Sequence, residues 1–133
     1  MYLLDTDTII YSLKGNENVV KNLEKHIYDP VKISIITLME LYYGAFKSKR
    51  VAGNLAKIKT IESSFEIIPA GRESSEIFGR LKASLQKKGT SLDDFDLIIA
   101  SCALANNLVL VTDNKKHFKR IESLKLDNWT VCQ

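Results

Sequence analysis

Short apolar runs alternate along this chain with segments in which apolar residues recur every three or four positions. The short runs predict buried β-strands, and the segments with helical spacing predict amphipathic α-helices. The predicted strands cover residues 2–4, 32–36, 65–68 and 108–111, with a last short strand at 129–132. The predicted helices are a short one before Gly15, then residues 17–28, 37–46, 50–63, 73–88, 92–105 and 115–122.

The predicted strands are continuous apolar runs rather than alternating ones, which indicates that both of their faces are buried. Strands that alternate with helices favour a parallel sheet with helices on each side. We therefore expect an α/β fold, a three-layer α/β/α sandwich with a mainly parallel central sheet. The 133 residues show no repeat and no linker, so a single domain over residues 1–133 is expected.

Composition makes an ordinary globular protein the default, with 45% hydrophobic and 26% charged residues. No apolar stretch approaches the roughly 18 residues that a membrane-spanning helix needs. The N-terminal residues MYLLDTDTII lack the basic region and cleavage site of a signal peptide. Cys102 and Cys132 have no metal-binding spacing, and a reduced, buried Cys102 is expected. A cytoplasmic protein follows from these features.

The net charge of +3 is by itself weak evidence for a polyanionic partner, but the basic residues are clustered. One cluster lies in a helical region and the other near the C-terminus: Lys47, Lys49, Arg50, Lys57 and Lys59, and then Lys115, Lys116, Lys119 and Arg120. Such clusters suit contacts to phosphate groups. A solvated helix face is the simpler alternative for each cluster taken singly.

Acidic residues, in contrast, fall just past the predicted strand ends. They are Asp5 after the first strand, Glu40 after the second, Asp93, Asp94 and Asp96 at the start of a helix, and Asp113 after the fourth strand. The carboxyl ends of parallel strands are where α/β folds bind ligands. We therefore expect these carboxylates to converge on one site.

Helix capping is the simplest alternative role for the same acids. Thr37 with Glu40, and Ser91 with Asp94, fit the spacing of a capping box. The carboxylates that follow the first and fourth strands would then cap the turns or helices after them.

A metal ion would explain converging carboxylates better than capping does. Two unpaired carboxylates about 4 Å apart repel each other by roughly 4 kcal/mol at an effective dielectric constant near 20. Oxygen ligands suit Mg²⁺ or Mn²⁺ rather than Zn²⁺. In that arrangement Asp5 and Asp96 are metal ligands, and Glu40 holds a metal or orients the attacking water. The chemistry expected is metal-dependent hydrolysis of a phosphodiester.

Four strings in order also resemble a known family, the PIN domain, and more narrowly the VapC-type toxins of bacterial and archaeal toxin–antitoxin pairs. The resemblance runs from residue 2 to about residue 120. It is carried by LLDTD (3–7), ISIITLMELYYGA (33–45), FDLIIASCALANNLVLVT (95–112) and NKKHF (114–118).

The resemblance implies an endoribonuclease that depends on Mg²⁺ or Mn²⁺, with the family's acidic positions at Asp5, Glu40 and Asp96. It implies a homodimer that a VapB-type antitoxin holds inactive. It also implies an RNA substrate, often transfer RNA and sometimes ribosomal RNA, whose loss arrests translation and growth.

Some positions depart from the commonest family pattern. The fourth family position falls on Asn114, whereas Asp113 lies one residue early, and either residue would complete the metal site. Asp7 either adds a carboxylate or caps the first helix. One of Asp93 and Asp94, with Asp93 the candidate, is expected to support the site from behind the ligands, and the other to be a helix-start charge that the dipole favours. The hydroxyl of Thr112 is expected to hold the following loop or a metal-bound water.

Rival functions are weaker. The string LLDTDT resembles the opening motif of haloacid-dehalogenase phosphatases, with Asp5 as nucleophile and Asp7 as acid, but the later motifs come in the wrong order. A receiver-like phosphoacceptor would need a Lys just past a late strand, and Lys115 is poorly placed for it. A PIN-like module that binds RNA or a partner without catalysis is the third alternative, and the three family acids argue against it.

Overall fold

A five-stranded sheet forms the centre of the computed structural model, which describes residues 1–131. The strand order is β3-β2-β1-β4-β5, and every neighbouring pair is parallel. The strands are β1 Tyr2–Leu4, β2 Val31–Ser34, β3 Glu66–Ile68, β4 Val109–Val111 and β5 Leu126–Asp127. With helices on both faces, this confirms the predicted three-layer fold.

Every predicted helix is present, with differences of a few residues at the ends. The helices are α1 Thr6–Leu13, α2 Glu17–Lys25, α3 Ile35–Phe46, α4 Val51–Ser64, α5 Arg72–Lys87, α6 Asp94–Ala105 and α7 Lys115–Phe118. The largest differences are in α7, which ends at Phe118 rather than at residue 122, and in α2, which ends at Lys25 rather than at residue 28. The helix α3 begins two residues before Thr37.

The core consists of two layers, one on each face of the sheet. Successive side chains of a strand point to opposite faces, so Leu3 and Leu4 of β1 belong to different layers. Leu3 packs with residues of α5 and α6, whereas Leu4 packs with residues of α1, α3 and α4. Burial on both faces is the reason that β1 is apolar without alternation.

Helix ends follow the local signals in the sequence. Gly15 and Gly89 have φ values of 78° and 69°, just after α1 and α5, where glycine avoids the strain of a left-handed backbone. Asn107 has a φ of 52° and ends α6, as the Asn-Asn pair in the sequence indicates.

The last strand was predicted in the wrong place. Residues 129–131 form no strand, and Cys132 lies outside the described residues. The strand is instead Leu126–Asp127, because a turn follows it at once: Asn128 Oδ1 accepts hydrogen bonds from the amide and the hydroxyl of Thr130. This turn directs Trp129 into the core, where it is fully buried.

Cys102 is buried in α6 as a free thiol. Within residues 1–131, no helix combines the length and the apolar character that crossing a membrane requires.

Replacing Trp129 with Ala tests whether this turn closes the core. The indole is stacked on His26, with ring centroids 4.9 Å apart, and donates to Asp127 Oδ2 at 3.1 Å. We expect Trp129→Ala to lower the free energy of unfolding by about 3–5 kcal/mol, measured by urea denaturation. Tyr28→Ala is the control, because Tyr28 is 97% exposed. An unchanged urea midpoint for Trp129→Ala would contradict the assignment.

Candidate active site

The sheet reverses its strand order between β1 and β4, and the candidate site lies at that point. From β1 the chain adds β2 and β3 on one side, then returns to place β4 on the other. The register pairs Leu4 with Val111, so Asp5 and Thr112 emerge side by side. Such reversal points form a crevice at the carboxyl end of the strands, where open α/β sheets bind ligands.

Asp5 is a buried carboxylate that caps a helix and faces the crevice. Its Oδ1 accepts from the backbone amide of Thr8 at 2.9 Å, so it is the N-cap of α1, as the capping alternative expected. Burial raises the pKa of Asp5 to about 6, while hydrogen bonds from Thr112 and Thr8 oppose the rise. Capping uses only Oδ1 of Asp5, so the carboxylate can both cap α1 and belong to the site.

Glu40 is held by the first residue of α1 rather than by its own helix. Thr6 Oγ1 lies 2.6 Å from Glu40 Oε1 and 3.1 Å from Thr37 Oγ1. The predicted capping box of Thr37 and Glu40 is wrong, because α3 begins earlier. Ser34 is its N-cap and accepts from the amide of Ile36 at 3.0 Å. Glu40 is thus left to face the crevice.

The negative charges of the other acids act together on the carboxyl group of Asp96. Burial in the first turn of α6 is the largest cause that raises its pKa, and the charges of Asp93, Asp5, Glu40 and Asp7 add to it, so that together they raise the pKa of Asp96 to about 6. Nearby negative charges disfavour the ionised form of a carboxyl group. The structure therefore brings acids from three separate stretches of the chain to one place.

The remaining acids of this helix start have separate roles. Asp93 is the N-cap of α6 and accepts from the amide of Phe95 at 3.1 Å. The predicted capping box of Ser91 and Asp94 is therefore wrong, because the N-cap is Asp93 and the helix begins at Asp94. Asp94 forms an ion pair with Lys82 of α5 at 3.0 Å, which directs its carboxylate away from Asp96.

The loop after β4 carries both candidates for the fourth position. Asp113 Oδ2 accepts from the Tyr11 hydroxyl at 2.8 Å, and this contact raises the pKa of Tyr11. The amide of Asn114 donates to Thr112 Oγ1 at 3.0 Å, so the Thr112 hydroxyl holds the loop. The Asn114 side chain also contacts His117 Nδ1 at 2.6 Å. That one of Asp113 and Asn114 completes a metal site stays a prediction.

The acids are close enough to interact but do not form a closed metal cage. Among residues 1–131, no three acidic, histidine or cysteine side chains are gathered tightly enough to enclose an ion. Two of the carboxylates have hydrogen-bond partners of their own, since Thr6 bonds to Glu40 and Tyr11 bonds to Asp113. The oxygen donors fit Mg²⁺ or Mn²⁺ in chemistry, and side-chain rotation would have to close the cage.

Three functional contacts from α1 were missed from the sequence: those of Thr6, Thr8 and Tyr11. A signal for them existed. Thr6 and Thr8 interleave with Asp5 and Asp7 directly after the first strand, where hydroxyl groups are in reach of carboxylates. Tyr11 lies four residues after Asp7, on the same face of a helix.

Comparison with known protein families identifies the class of this fold. Residues 2–124, which include the parallel sheet and the carboxylates at its reversal point, match the model of the PIN domain. The chain belongs to the PIN domain family.

Its relatives are similar over nearly their whole length. The chain is 40% identical over 131 residues to ribonuclease VapC2 of Rickettsia felis, covering 97% of this chain and 98% of that protein. It is 34% identical over 128 residues to the tRNA(fMet)-specific endonuclease VapC of Salmonella typhimurium, covering 96% and 97%.

Solved structures of VapBC complexes contain chains with the same fold. VapBC2 from Rickettsia felis, bound to a promoter DNA fragment, contains a chain with a TM-score of 0.91 and 39% identity over 96% of this chain and 98% of that chain. DNA-bound VapBC from Salmonella typhimurium gives a TM-score of 0.91 and 34% identity over 96% and 97%.

The raised pKa of Asp96 predicts how metal-free protein responds to pH. Because its folded pKa lies above its unfolded value of 3.8, folding binds protons between pH 4 and 6. Stability from this group is therefore full below about pH 4 and is lost as pH rises through about 6. In EDTA, Asp96→Asn should raise the free energy of unfolding at pH 7.5 by on the order of 1 kcal/mol, after allowance for solvent screening.

Thermal unfolding at pH 4 and pH 7.5 measures this difference. Asp94→Asn is the matched control, because Asp94 is paired with Lys82 and should show no gain. An equal gain for Asp96→Asn at both pH values would contradict the electrostatic explanation.

Proposed function

We propose that this protein is a metal-dependent endoribonuclease and the toxin of a toxin–antitoxin pair. It hydrolyses phosphodiester bonds of RNA, with transfer RNA or ribosomal RNA as the target, and so arrests translation in the cytoplasm. The observation that carries the proposal is the convergence of Asp5, Glu40 and Asp7 on Asp96 at the reversal point of the sheet. Full-length relatives named as ribonucleases support it.

Four positions would hold Mg²⁺ or Mn²⁺: Asp5, Glu40, Asp96 and one of Asp113 and Asn114. When bound, the ion would neutralise phosphate charge and stabilise the charge that develops on the phosphoryl oxygens. The carboxylates alone would repel an RNA phosphate, so the proposal requires a cation for substrate binding as well as for chemistry.

The protein's own groups would position the reactants. Thr6 fixes Glu40 Oε1, and we assign Glu40 Oε2 to orienting the attacking water or to holding the ion. Thr112 bonds both to Asp5 and to the amide of Asn114, so it holds the two strand ends at a fixed separation. In-line attack of water on phosphorus would leave a 5′-phosphate and a 3′-hydroxyl.

A VapB-type antitoxin is the proposed partner that holds the toxin inactive. Support comes from two similar solved structures, both of which are VapBC complexes bound to DNA. The ribonuclease names of the relatives favour the nuclease over the phosphatase suggested by the opening motif. A non-catalytic binding module would retain RNA or partner binding without cleavage, and the experiment below distinguishes it.

Incubating total cellular RNA with purified protein tests the proposed activity. We expect discrete fragments with 5′-phosphate ends in Mg²⁺ or Mn²⁺, and no fragments in EDTA. Asp96→Asn should lower the cleavage rate by at least about a hundredfold, because it removes a carboxylate that would hold the cation on which the chemistry depends.

Asp94→Asn is the matched control, two residues away on the same helix, and should cleave at close to the wild-type rate because its carboxylate pairs with Lys82. Full activity in Asp96→Asn would overturn the site. The absence of cleavage with either metal, together with tight RNA or partner binding, would favour the non-catalytic module.

A homodimer is proposed for the free toxin, as the family resemblance implies. The chain has a mass of 15.0 kDa, so light scattering at micromolar concentration should give about twice that mass. A mass that stays at the monomer value across a hundredfold concentration range would contradict the proposal.

A further inference from the structure

A groove beside the acids carries exposed aromatic side chains that neither the core nor the catalytic scheme uses. We call it the aromatic groove. It has a volume of about 610 Å³, and its lining includes Asp7, Met39, Glu40, Tyr43, Lys47 and Phe95. Because two of the site's carboxylates form part of its wall, anything that fills the groove also contacts the candidate active site.

The rings of this groove are open to solvent. Tyr43 is 67% exposed and Phe95 is 52% exposed. They come from different helices, α3 and α6, and line the same space. Exposed aromatic side chains that share one groove mark a binding surface more often than isolated ones do. Lys47 Nζ lies 4.8 Å from the centroid of the Tyr43 ring, so a cation accompanies the aromatic surface.

Gly44 opens the groove further. It lies in the interior of α3, where glycine makes a helix less stable than alanine would. A Cβ added there would meet no atom within 4 Å, so packing within the described chain does not require glycine. Glycine is useful where a ligand must approach the backbone closely.

Gly44 also connects the aromatic groove to a second one, the lysine groove. This second groove has a volume of about 350 Å³ and shares Ile10, Glu40 and Gly44 with the first. Lys14 and Lys57 contribute its positive charge. A chain of phosphates that passes Glu40 could therefore have aromatic surface on one side and ammonium groups on the other.

We propose that the aromatic groove is a nucleobase subsite for single-stranded RNA, in which bases next to the scissile phosphodiester stack on Tyr43 and on Phe95. The inference rests on the proposed ribonuclease function. A phosphodiester at the acids is flanked by nucleosides, and these must occupy the spaces that adjoin Glu40. Aromatic faces accept unpaired bases of any sequence, and the lysines complement the phosphates that come with them.

RNA binding in Mg²⁺ tests the subsite without cleavage when every protein compared, the wild type included, also carries Asp96→Asn. The ion then offsets the repulsion between the acids and the RNA phosphates. The probe is a short fluorescein-labelled single-stranded RNA, and the measurement is fluorescence anisotropy. Loss of one stacked base typically costs about tenfold in affinity, so Tyr43→Leu and Phe95→Leu should each raise Kd by about that factor. Tyr43→Phe keeps the ring and should bind as the wild type does.

Two further variants sharpen the result. Phe46→Leu is the matched control, because Phe46 is an exposed ring on α3 outside the lining of either groove, and its Kd should be unchanged. Gly44→Leu should weaken binding by filling the groove while leaving the melting temperature no lower, since its side chain enters open space. Light scattering on Tyr43→Leu checks that its oligomeric mass is that of the wild type.

A fluorescent base reports on stacking directly. An RNA that carries 2-aminopurine should lose fluorescence when it binds wild type or Tyr43→Phe, and should lose less on Tyr43→Leu. Leucine variants that bind within twofold of wild type, or a loss of affinity in Phe46→Leu as large as in Tyr43→Leu, would overturn the subsite. Weaker binding of a VapB-type antitoxin with unchanged RNA affinity would also overturn it and assign the groove to a protein segment.

Cleavage kinetics separate this inference from the proposed function. In Mg²⁺, the leucine variants should raise KM and keep kcat. A wild type that cleaves RNA, with leucine variants whose KM is unchanged, would overturn the subsite alone. A wild type that cleaves no RNA would overturn the nuclease, while the anisotropy arm would still decide whether the groove binds bases.

Discussion

The structure depends on a carboxylate buried at the point where the sheet reverses its order. Asp5 follows the central strand, and its backbone amide donates to Val111 of β4 at 3.0 Å. Its side chain begins α1 by accepting from Thr8 and is bonded by Thr112 on the neighbouring strand end. One residue thus connects the β1–β4 pairing, the start of a helix and the loop that completes the site.

This arrangement sets stability against function. A buried carboxylate is destabilising unless it is hydrogen-bonded, and Asp5 offsets part of that cost through its cap and Thr112. At Asp96 the surrounding charges add to the cost of burial, because its neighbours Asp93, Asp5, Glu40 and Asp7 are also acids. The mutual repulsion of these acids therefore opposes folding at the place where the proposed function puts a divalent cation.

The three layers and the acids that follow the strands could be predicted from the sequence. Strands buried on both faces are continuous apolar runs, and the acids come directly after those runs. Sequence patterns failed where two local signals competed. Thr37 and Glu40 have the spacing of a capping box, yet Ser34 lies at the strand end and caps α3 first. Near the C-terminus, the apolar character of Trp129 suggested a strand, but the Asn128 turn makes it a core side chain instead.

Contacts between helices were harder still to predict. Thr6 reaches Glu40 from a different helix, 34 residues away, and Tyr11 reaches Asp113 across 102 residues. Nothing in residue spacing specifies such pairs until the sheet order is known. Once β1 is placed between β2 and β4, both follow, because α1 starts between the two strand ends that carry α3 and the Asp113 loop.

The distribution of charge then follows from the same geometry. The net charge of +3 includes the acids gathered at one edge of the sheet, so the rest of the molecule is more positive than that value. Three lysines, Lys14, Lys47 and Lys57, line the two grooves that meet at Glu40. A polyanion that approached this edge would meet attraction in the grooves and repulsion at the acids. Under the proposed function, a cation at the acids would remove that repulsion, and a divalent ion would let the phosphate of an RNA that lies along the grooves reach Asp96.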